Sequence, residues 1–373
     1  MNLPFRKAPL AAAVSAVLFA PHTAEAMPLT AVGSEFKAPS DPTTPQADPA
    51  VAIDGDGDFV VVWTERGGTT NEVRYRLFSA DGTPIAEDQV NTTSSQDQEA
   101  PDVAMDADGN FVVAWQSYYQ DSIGNNDIYY RRFDSSGTPQ TGELKANADN
   151  GGDQTQASVA LRDDGAVAVA WEQAVSSVED DIEFRVFDAS DAPLTTQGDV
   201  VANVDTPGLE ADPSIAFTSP GNLVVAWTAF SNQDGDSGGI FYRNFAQDGT
   251  GGQATDQPAN TTTTGNQRRP SVDRDADGDF VVAWEDYDND AVVARQFSAD
   301  GSVASGEVTV NAAGTNVGGP RVGVVGDGDF AVAWQGPDGA EEGIFARAFA
   351  ADGSPEGDTF PVSQSTASIN PEL

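Results

Sequence analysis

The chain has 373 residues, 59 acidic against 18 basic, for a formal net charge of −41, with no cysteine and one histidine, His22. So acidic a surface repels nucleic acid and anionic membranes and attracts cations. Without cysteine there are no disulfides or thiolate metal sites, and His22 falls within an export signal, which excludes Ser-His-Asp, Cys-His and His-ligated zinc chemistry from the mature chain.

In chain order, residues 1–26 read as a signal peptide: Arg6 and Lys7, an apolar stretch from Ala8 to Ala20, then Ala24-Glu25-Ala26 as a small-x-small cleavage site. The apolar stretch is too short to span a bilayer and nothing later approaches a spanning length. The mature chain, 27–373, is therefore expected to be exported, periplasmic or extracellular, with no membrane insertion. Its only lysines are Lys37 and Lys145. Many carboxylates with few lysines is the surface of a protein kept soluble in concentrated salt, so a halophilic habitat is expected.

The mature chain is built from one repeated phrase. Trp63, Trp115, Trp171, Trp227, Trp284 and Trp334 each follow a Gly by six residues: Gly57, Gly109, Gly165, Gly221, Gly278 and Gly328. The intervening run, such as Phe111-Val112-Val113-Ala114, is β-branched, too short for a helix and apolar on both faces, which predicts a strand buried on both sides. The unvarying Gly predicts a positive φ in a tight hairpin turn. Pro49, Pro101, Pro213, Pro270 and Pro320, with Ala157 in the third copy, are expected where the first strand begins. A third strand carries Arg76, Arg131, Arg185, Arg243, Arg295 or Arg347, with Phe78, Phe133, Phe187, Phe245, Phe297 or Phe349 two residues on. After a further turn comes a fourth extended segment such as Ile85 to Asn91.

Four strands repeated six times predict an all-β, six-bladed β-propeller of four-stranded antiparallel blades, because a blade cannot cover its own apolar faces and must stack on neighbours. The blades are placed near residues 49, 101, 157, 213, 270 and 320, in one domain. An extra copy of the fourth segment, Gly33-Ser34-Glu35-Phe36-Lys37-Ala38, precedes the first blade and resembles Gly306 to Val310. Ring closure by this segment would compete with the last blade's own fourth strand near Asp358 to Ser363.

The hairpin turns offer candidate calcium ligands, Asp54, Asp56, Asp106, Asp108, Asp275 and Asp277. Counted from Asp273, Gly278 is sixth as in an EF-hand loop, but the twelfth residue is Trp284 where that loop needs a bidentate Glu. The Asp three residues before the Gly gives way to Arg162, Thr218 and Val325 in the other copies while the Gly is constant, so a structural turn accounts for the pattern and calcium is expected at most weakly. The six repeated arginines are spread around the ring. Each is expected to pair with an Asp of its own or an adjacent blade while its stem packs beside the Phe.

Ligand sites of propellers lie on the face made by the loops from second to third strand and from fourth strand to the next blade. There stand Tyr118, Tyr119, Phe230, Tyr287, Arg268 and Arg269, aromatics and cations beside Asp, Asn and Thr that suit a glycan. With so many acids, no glycosidase carboxylate pair can be singled out by spacing.

The phrase Pro101-Asp102-Val103-Ala104, Asp108-Gly109-Asn110-Phe111-Val112-Val113-Ala114-Trp115, Ile128-Tyr129-Tyr130-Arg131-Arg132-Phe133 and Gly137-Thr138-Pro139 resembles tandem repeats of bacterial exported and surface proteins. The resemblance covers nearly all of the mature chain and implies a propeller-type fold without an assigned activity. The architecture also resembles the six-bladed sialidase-like propellers, from whose Asp-box the chain departs by placing the aromatic farther from its Gly. Two functions are carried forward. One is a secreted, monomeric, non-enzymatic propeller binding a protein partner, glycan or cation through its loop face. The alternative is an extracellular carbohydrate-active enzyme, sialidase-like or another glycoside hydrolase, using Asp, Glu and Tyr. Six blades lining the channel alike would favour the first, and a blade that departs by an inward carboxylate would favour the second.

Overall fold

A computed structural model describes residues 36–363 apart from 42, 121–123, 150, 177–178, 205–207, 219–220, 231–232, 234, 236, 312–316 and 339–340. The signal segment 1–26 lies outside the described residues. Six four-stranded antiparallel sheets follow one another, each with its strands in chain order, over residues 46–89, 98–145, 154–201, 210–258, 267–309 and 318–361. This is a six-bladed β-propeller. Among the described residues there is no helix.

The second strands are apolar on both faces because each face meets a neighbouring blade. Val112, Ala114, Ile128 and Tyr130 of blade 2 pack on Val167, Val169, Trp171 and Phe187 of blade 3, and equivalent clusters join blades 1 and 2, 3 and 4, 4 and 5, and 5 and 6. Trp115, Trp171, Trp227 and Trp284 are among the largest fully buried side chains. Removing such an indole costs about 3–5 kcal/mol.

All six turn glycines have positive φ, from 81° to 102°. At Gly165 a Cβ would also stand 2.9 Å from the Ala189 Cβ, so conformation and space both demand Gly there. In the turn between third and fourth strands Gly82, Gly137, Gly249, Gly301 and Gly353 share this conformation, and Asp191 adopts φ 64° in the third copy.

The prolines are not at the start of the first strand but inside it. The strands begin earlier, at Gln46, Gln98, Gln154, Glu210, Gln267 and Gly318. Just before the Pro or Ala, a residue in the left-handed region, Asp48, Ala100, Gln156, Asp212, Arg269 or Gly319, has φ between 50° and 57°. The pairing register slips there, as between Glu99 and Asp102, which defines a β-bulge in every blade. The fourth strand is also shorter than expected, only two residues in blades 2 to 6.

The repeated arginines stack on their own phenylalanines, with guanidinium carbons 4.9–5.5 Å from the ring centroids. Their partner differs from the expected Asp. Nη1 donates to a backbone carbonyl just past the preceding blade's fourth strand: Arg131 to Val90, Arg185 to Ala146, Arg243 to Ala202, Arg295 to Ala259 and Arg347 to Val310, at 2.6–3.1 Å. A carbonyl oxygen at a strand end lacks a ladder partner, and the guanidinium satisfies it while bolting one blade to the next. Carboxylates add to this at Arg76, 3.3 Å from Glu87, and Arg185, 3.6 Å from Asp199.

Candidate functional site at the channel mouth

First strands of successive blades pack on one another, which places them innermost, around the central channel. Their bulges ring the channel mouth on the face where the loops from second to third strand emerge. In blades 1 to 4 the residue after the Trp reaches across to the next bulge. Thr64 Oγ1 accepts the Ala100 N–H at 3.1 Å, Gln116 Oε1 that of Gln156 at 3.4 Å, Glu172 Oε1 that of Asp212 at 2.8 Å, and Thr228 Oγ1 that of Arg269 at 3.0 Å. The backbone is the same in each blade, whereas the side chains differ.

Blade 1 brings Asp48, which accepts the Thr64 hydroxyl at 3.3 Å and lies 3.1 Å from Arg66 Nη2, and a second charged group spans blades 3, 4 and 5. Glu172 is half-buried, accepting the Asp212 N–H and, at 3.2 Å, the Thr155 hydroxyl. Burial lifts its carboxyl to about 7; the carboxylates of Asp212 and Asp180 push the same way, and the two hydrogen bonds oppose the rise. Glu172 is therefore partly protonated at neutral pH and has a proton to give. Beside it, Asp212 accepts the Thr228 hydroxyl at 3.1 Å through Oδ2. Thr228 in turn holds the Arg269 N–H, so one hydrogen-bonded arc runs from Thr155 through Glu172, Asp212 and Thr228 to Arg269.

The arc continues in blade 5. Glu285, only 2 % exposed, lies 2.9 Å from Arg268 Nη2 and 3.3 Å from Arg269 Nη1. The Arg268 guanidinium carbon stands 3.7 Å from the ring centroid of Tyr287, which is 46 % exposed. Of the sequence-predicted ligand residues, Arg268, Arg269 and Tyr287 are thus brought together. Tyr118 and Tyr119, an exposed pair with ring centroids 3.8 Å apart, sit at the end of a blade 2 strand, and exposed Phe230 at the end of a blade 4 strand, outside that cluster.

Sequence reasoning missed Glu172, Asp212 and Glu285. The signal that could have found them is the position directly after the constant Trp, which runs Thr64, Gln116, Glu172, Thr228, Glu285, Gln335. A position that takes three residue types over six blades, beside one that never changes, is free of the repeat's packing demands.

Deeper in the channel the polar groups serve the fold. Asp102, Ser158, Ser214 and Ser271 accept N–H groups of Val159, Ile215, Val272 and Val322 on the next blade's first strand at 2.8–3.3 Å. Asp273, pushed up by burial to about 6, accepts Val324 N–H at 2.8 Å.

The turn aspartates lie at the opposite end of the blades. Asp54 Oδ1 accepts the N–H groups of Asp56 and Asp58, Asp106 Oδ1 those of Asp108 and Asn110, and Asp275 Oδ1 those of Asp277 and Asp279, at 2.8–3.0 Å. These carboxylates close their own turns. Among the described residues no group of three Asp, Glu, His or Cys is placed to hold a metal ion. Two cavities, of about 450 Å³ beside Tyr75 and Arg131 and about 390 Å³ beside Arg162 and Asp188, lie between blades and away from the mouth.

No sequence-family description matches the chain, and no curated protein matches it. Solved structures do share its fold. A protein of unknown function from Dyadobacter fermentans superposes with a TM-score of 0.59 at 13 % identity over 83 % of this chain and 95 % of that one. The α-L-arabinofuranosidase of Fusarium graminearum, solved with an iminosugar inhibitor, gives 0.55 at 10 % identity over 81 % and 92 %. A Hadza microbial sialidase gives 0.50 at 11 % identity over 77 % and 63 %. At these identities the likeness defines the class, a six-bladed β-propeller structurally similar to sialidase and arabinofuranosidase propellers, and nothing finer.

Proposed function

We propose that the protein is an exported carbohydrate-active enzyme of the glycoside hydrolase type, acting at the channel mouth with Glu172 as general acid and Asp212 as its carboxylate partner. The observation that carries this reading is the place of Glu172 at the step from blade 3 to blade 4: its carboxyl, raised by burial to about 7, accepts the N–H of Asp212, whose own carboxylate accepts the Thr228 hydroxyl. Glycosidic cleavage asks for such a pair, an acid that protonates the leaving oxygen and a carboxylate facing the sugar ring or its attacking water. Arg268, Arg269 and Tyr287 then offer hydrogen bonds and a stacking face to the sugar. Sugar-acting proteins among the solved structures of the same fold agree with this class, and secretion, as the N-terminal signal implies, would bring the enzyme to polysaccharide.

The test is release of reducing ends from a panel of plant, algal and microbial polysaccharides by the purified protein and by Glu172→Gln. Hydrolysis by the first and a loss of at least 100-fold in the second is expected, with a rate that falls above about pH 7 as Glu172 loses its proton. Glycan binding on an array with no reducing ends released from any substrate would leave a binding protein and end the hydrolytic reading.

A further inference from the structure

On a strand, residues two apart share a face, so the third residue after the constant Trp lies mouthward of the first and on its side of the sheet. That third position runs Arg66, Tyr118, Ala174, Phe230, Tyr287, Pro337. In blades 1 to 5 its N–H donates at 2.7–2.9 Å to the carbonyl of the residue just before the first strand, so the backbone places all five alike. The side chains are what differ. Blades 2, 4 and 5 put a ring there, whereas blade 3, which carries Glu172, puts a methyl group. The way from the mouth to Glu172 is therefore low, with a ring standing in the blade on either side.

These rings are presented rather than packed away. Among the described residues five aromatic side chains stand exposed, and four of them are Tyr118, Tyr119, Phe230 and Tyr287, at 37–46 %. A Cβ added to Gly124 would stand 3.5 Å from Tyr119 Cε1, and one added to Gly238 3.3 Å from Phe230 Cδ1, so each ring lies against loop backbone that carries no side chain. Tyr287 is backed by the Arg268 guanidinium. Tyr119 holds φ 53°, a costly conformation for a bulky residue, with its N–H donating to the Asn125 carbonyl at 3.1 Å. A ring backed on one side and open on the other takes the C–H face of a sugar, whose slightly positive hydrogens meet the ring's negative face. Neighbouring sheets stack about 10 Å apart, so Tyr118 and Phe230, with blade 3 between them, lie on the order of 20 Å from each other. No single sugar touches both.

We infer that the mouth binds an uncharged polysaccharide along a track from Tyr118 and Tyr119 of blade 2, over the Ala174 gap of blade 3, to Phe230 and Tyr287 of blades 4 and 5, so that the polymer is held on both sides of Glu172 and is cut internally. The internal cut rests on the hydrolytic reading above, and the track does not. The polymer is uncharged because a chain of net charge −41 repels a polyanion, and the two arginines at the mouth are already held by Glu285.

The binding test uses the mature chain with Glu172→Gln, so that nothing is consumed, in native gels cast with linear arabinan, xylan, mannan or mixed-linkage glucan, and with polygalacturonate as the charged control. At least one uncharged polymer should retard it, and the hexasaccharide of that polymer should bind about tenfold more tightly than the disaccharide by calorimetry. Tyr118→Ala and Phe230→Ala, both at exposed positions, should each weaken the hexasaccharide about tenfold. Ala174→Phe, which gives blade 3 the ring of blade 4, should weaken it as much by closing the gap. Retardation by none of the four or by polygalacturonate alone, a hexasaccharide bound no more tightly than the disaccharide, an unchanged affinity in either Ala variant, or a gain in Ala174→Phe would each overturn the track. In the unsubstituted protein the viscosity of the retarding polymer should fall well before its reducing ends accumulate. Release of single sugars from chain ends alone would overturn internal cutting. Retardation without any hydrolysis would end the hydrolytic reading, and internal cutting with it, while the track stands.

Discussion

The rim and the mouth are opposite cases within one blade. At the rim, six arginines sit over six phenylalanines and hold six carbonyls with nearly the same geometry, Ala38 standing in for the missing sixth. At the mouth, an equally regular backbone, a bulge in each first strand, carries Asp48, Ala100, Gln156, Asp212, Arg269 and Gly319. What must be alike in every blade is what builds the ring. What differs while the backbone repeats is where chemistry is free to be placed, and there the carboxyl pair and the paired arginines are found.

The comparison can be broken from either side. The largest expected effect belongs to the ring: Trp227→Ala should destabilise by about 3–5 kcal/mol in denaturant unfolding, because the indole is fully buried between blades 3 and 4. Arg243→Met keeps the stem over Phe245 but leaves the Ala202 carbonyl without its donor, for a loss of about 2 kcal/mol by the same measurement. A loss below about 0.5 kcal/mol would mean that the rim bolts are ornamental.

At the mouth the sign reverses. The folded state raises the Glu172 carboxyl to about 7, so its protonated form favours the fold, and stability from this group is present below the unfolded value near 4.5 and lost as pH rises through 7. Glu172→Gln fixes the neutral form. It should therefore be more stable than the parent at pH 8, on the order of 2 kcal/mol, and nearly equal to it at pH 4, while activity is lost. A variant destabilised at pH 8 would make Glu172 a structural residue. The smallest effects concern ions. Chelator should leave the Tm within about 1 °C, since the turn carboxylates already accept their own N–H groups. Molar NaCl should raise the Tm, as screening relieves repulsion in a chain of net charge −41.

The ring was legible because its demands recur. Gly at a positive φ, an indole between sheets and an Arg two before a Phe each leave the same letter six times. The bulge was not legible, because a left-handed residue before the Pro or Ala is set by the channel-side backbone and five residue types fill its six positions. Nor was the partner of the repeated Arg, since a carbonyl oxygen has no letter in a sequence and an Asp was the only visible candidate. Glu172 and Asp212 were hidden for a third reason: among so many acids only the fold shows that a side chain after Trp171 meets the backbone before Pro213.

That meeting couples neighbours. Since in blades 1 to 4 the side chain after the Trp caps the bulge of the following blade, Thr64 with Ala100, Gln116 with Gln156, Glu172 with Asp212 and Thr228 with Arg269 form units that straddle two blades. An exchange of whole blades would sever these units even with every strand intact, whereas transplanting a matched pair would carry its chemistry to another sector of the circle. Innovation in such a molecule proceeds by couples, not by repeats.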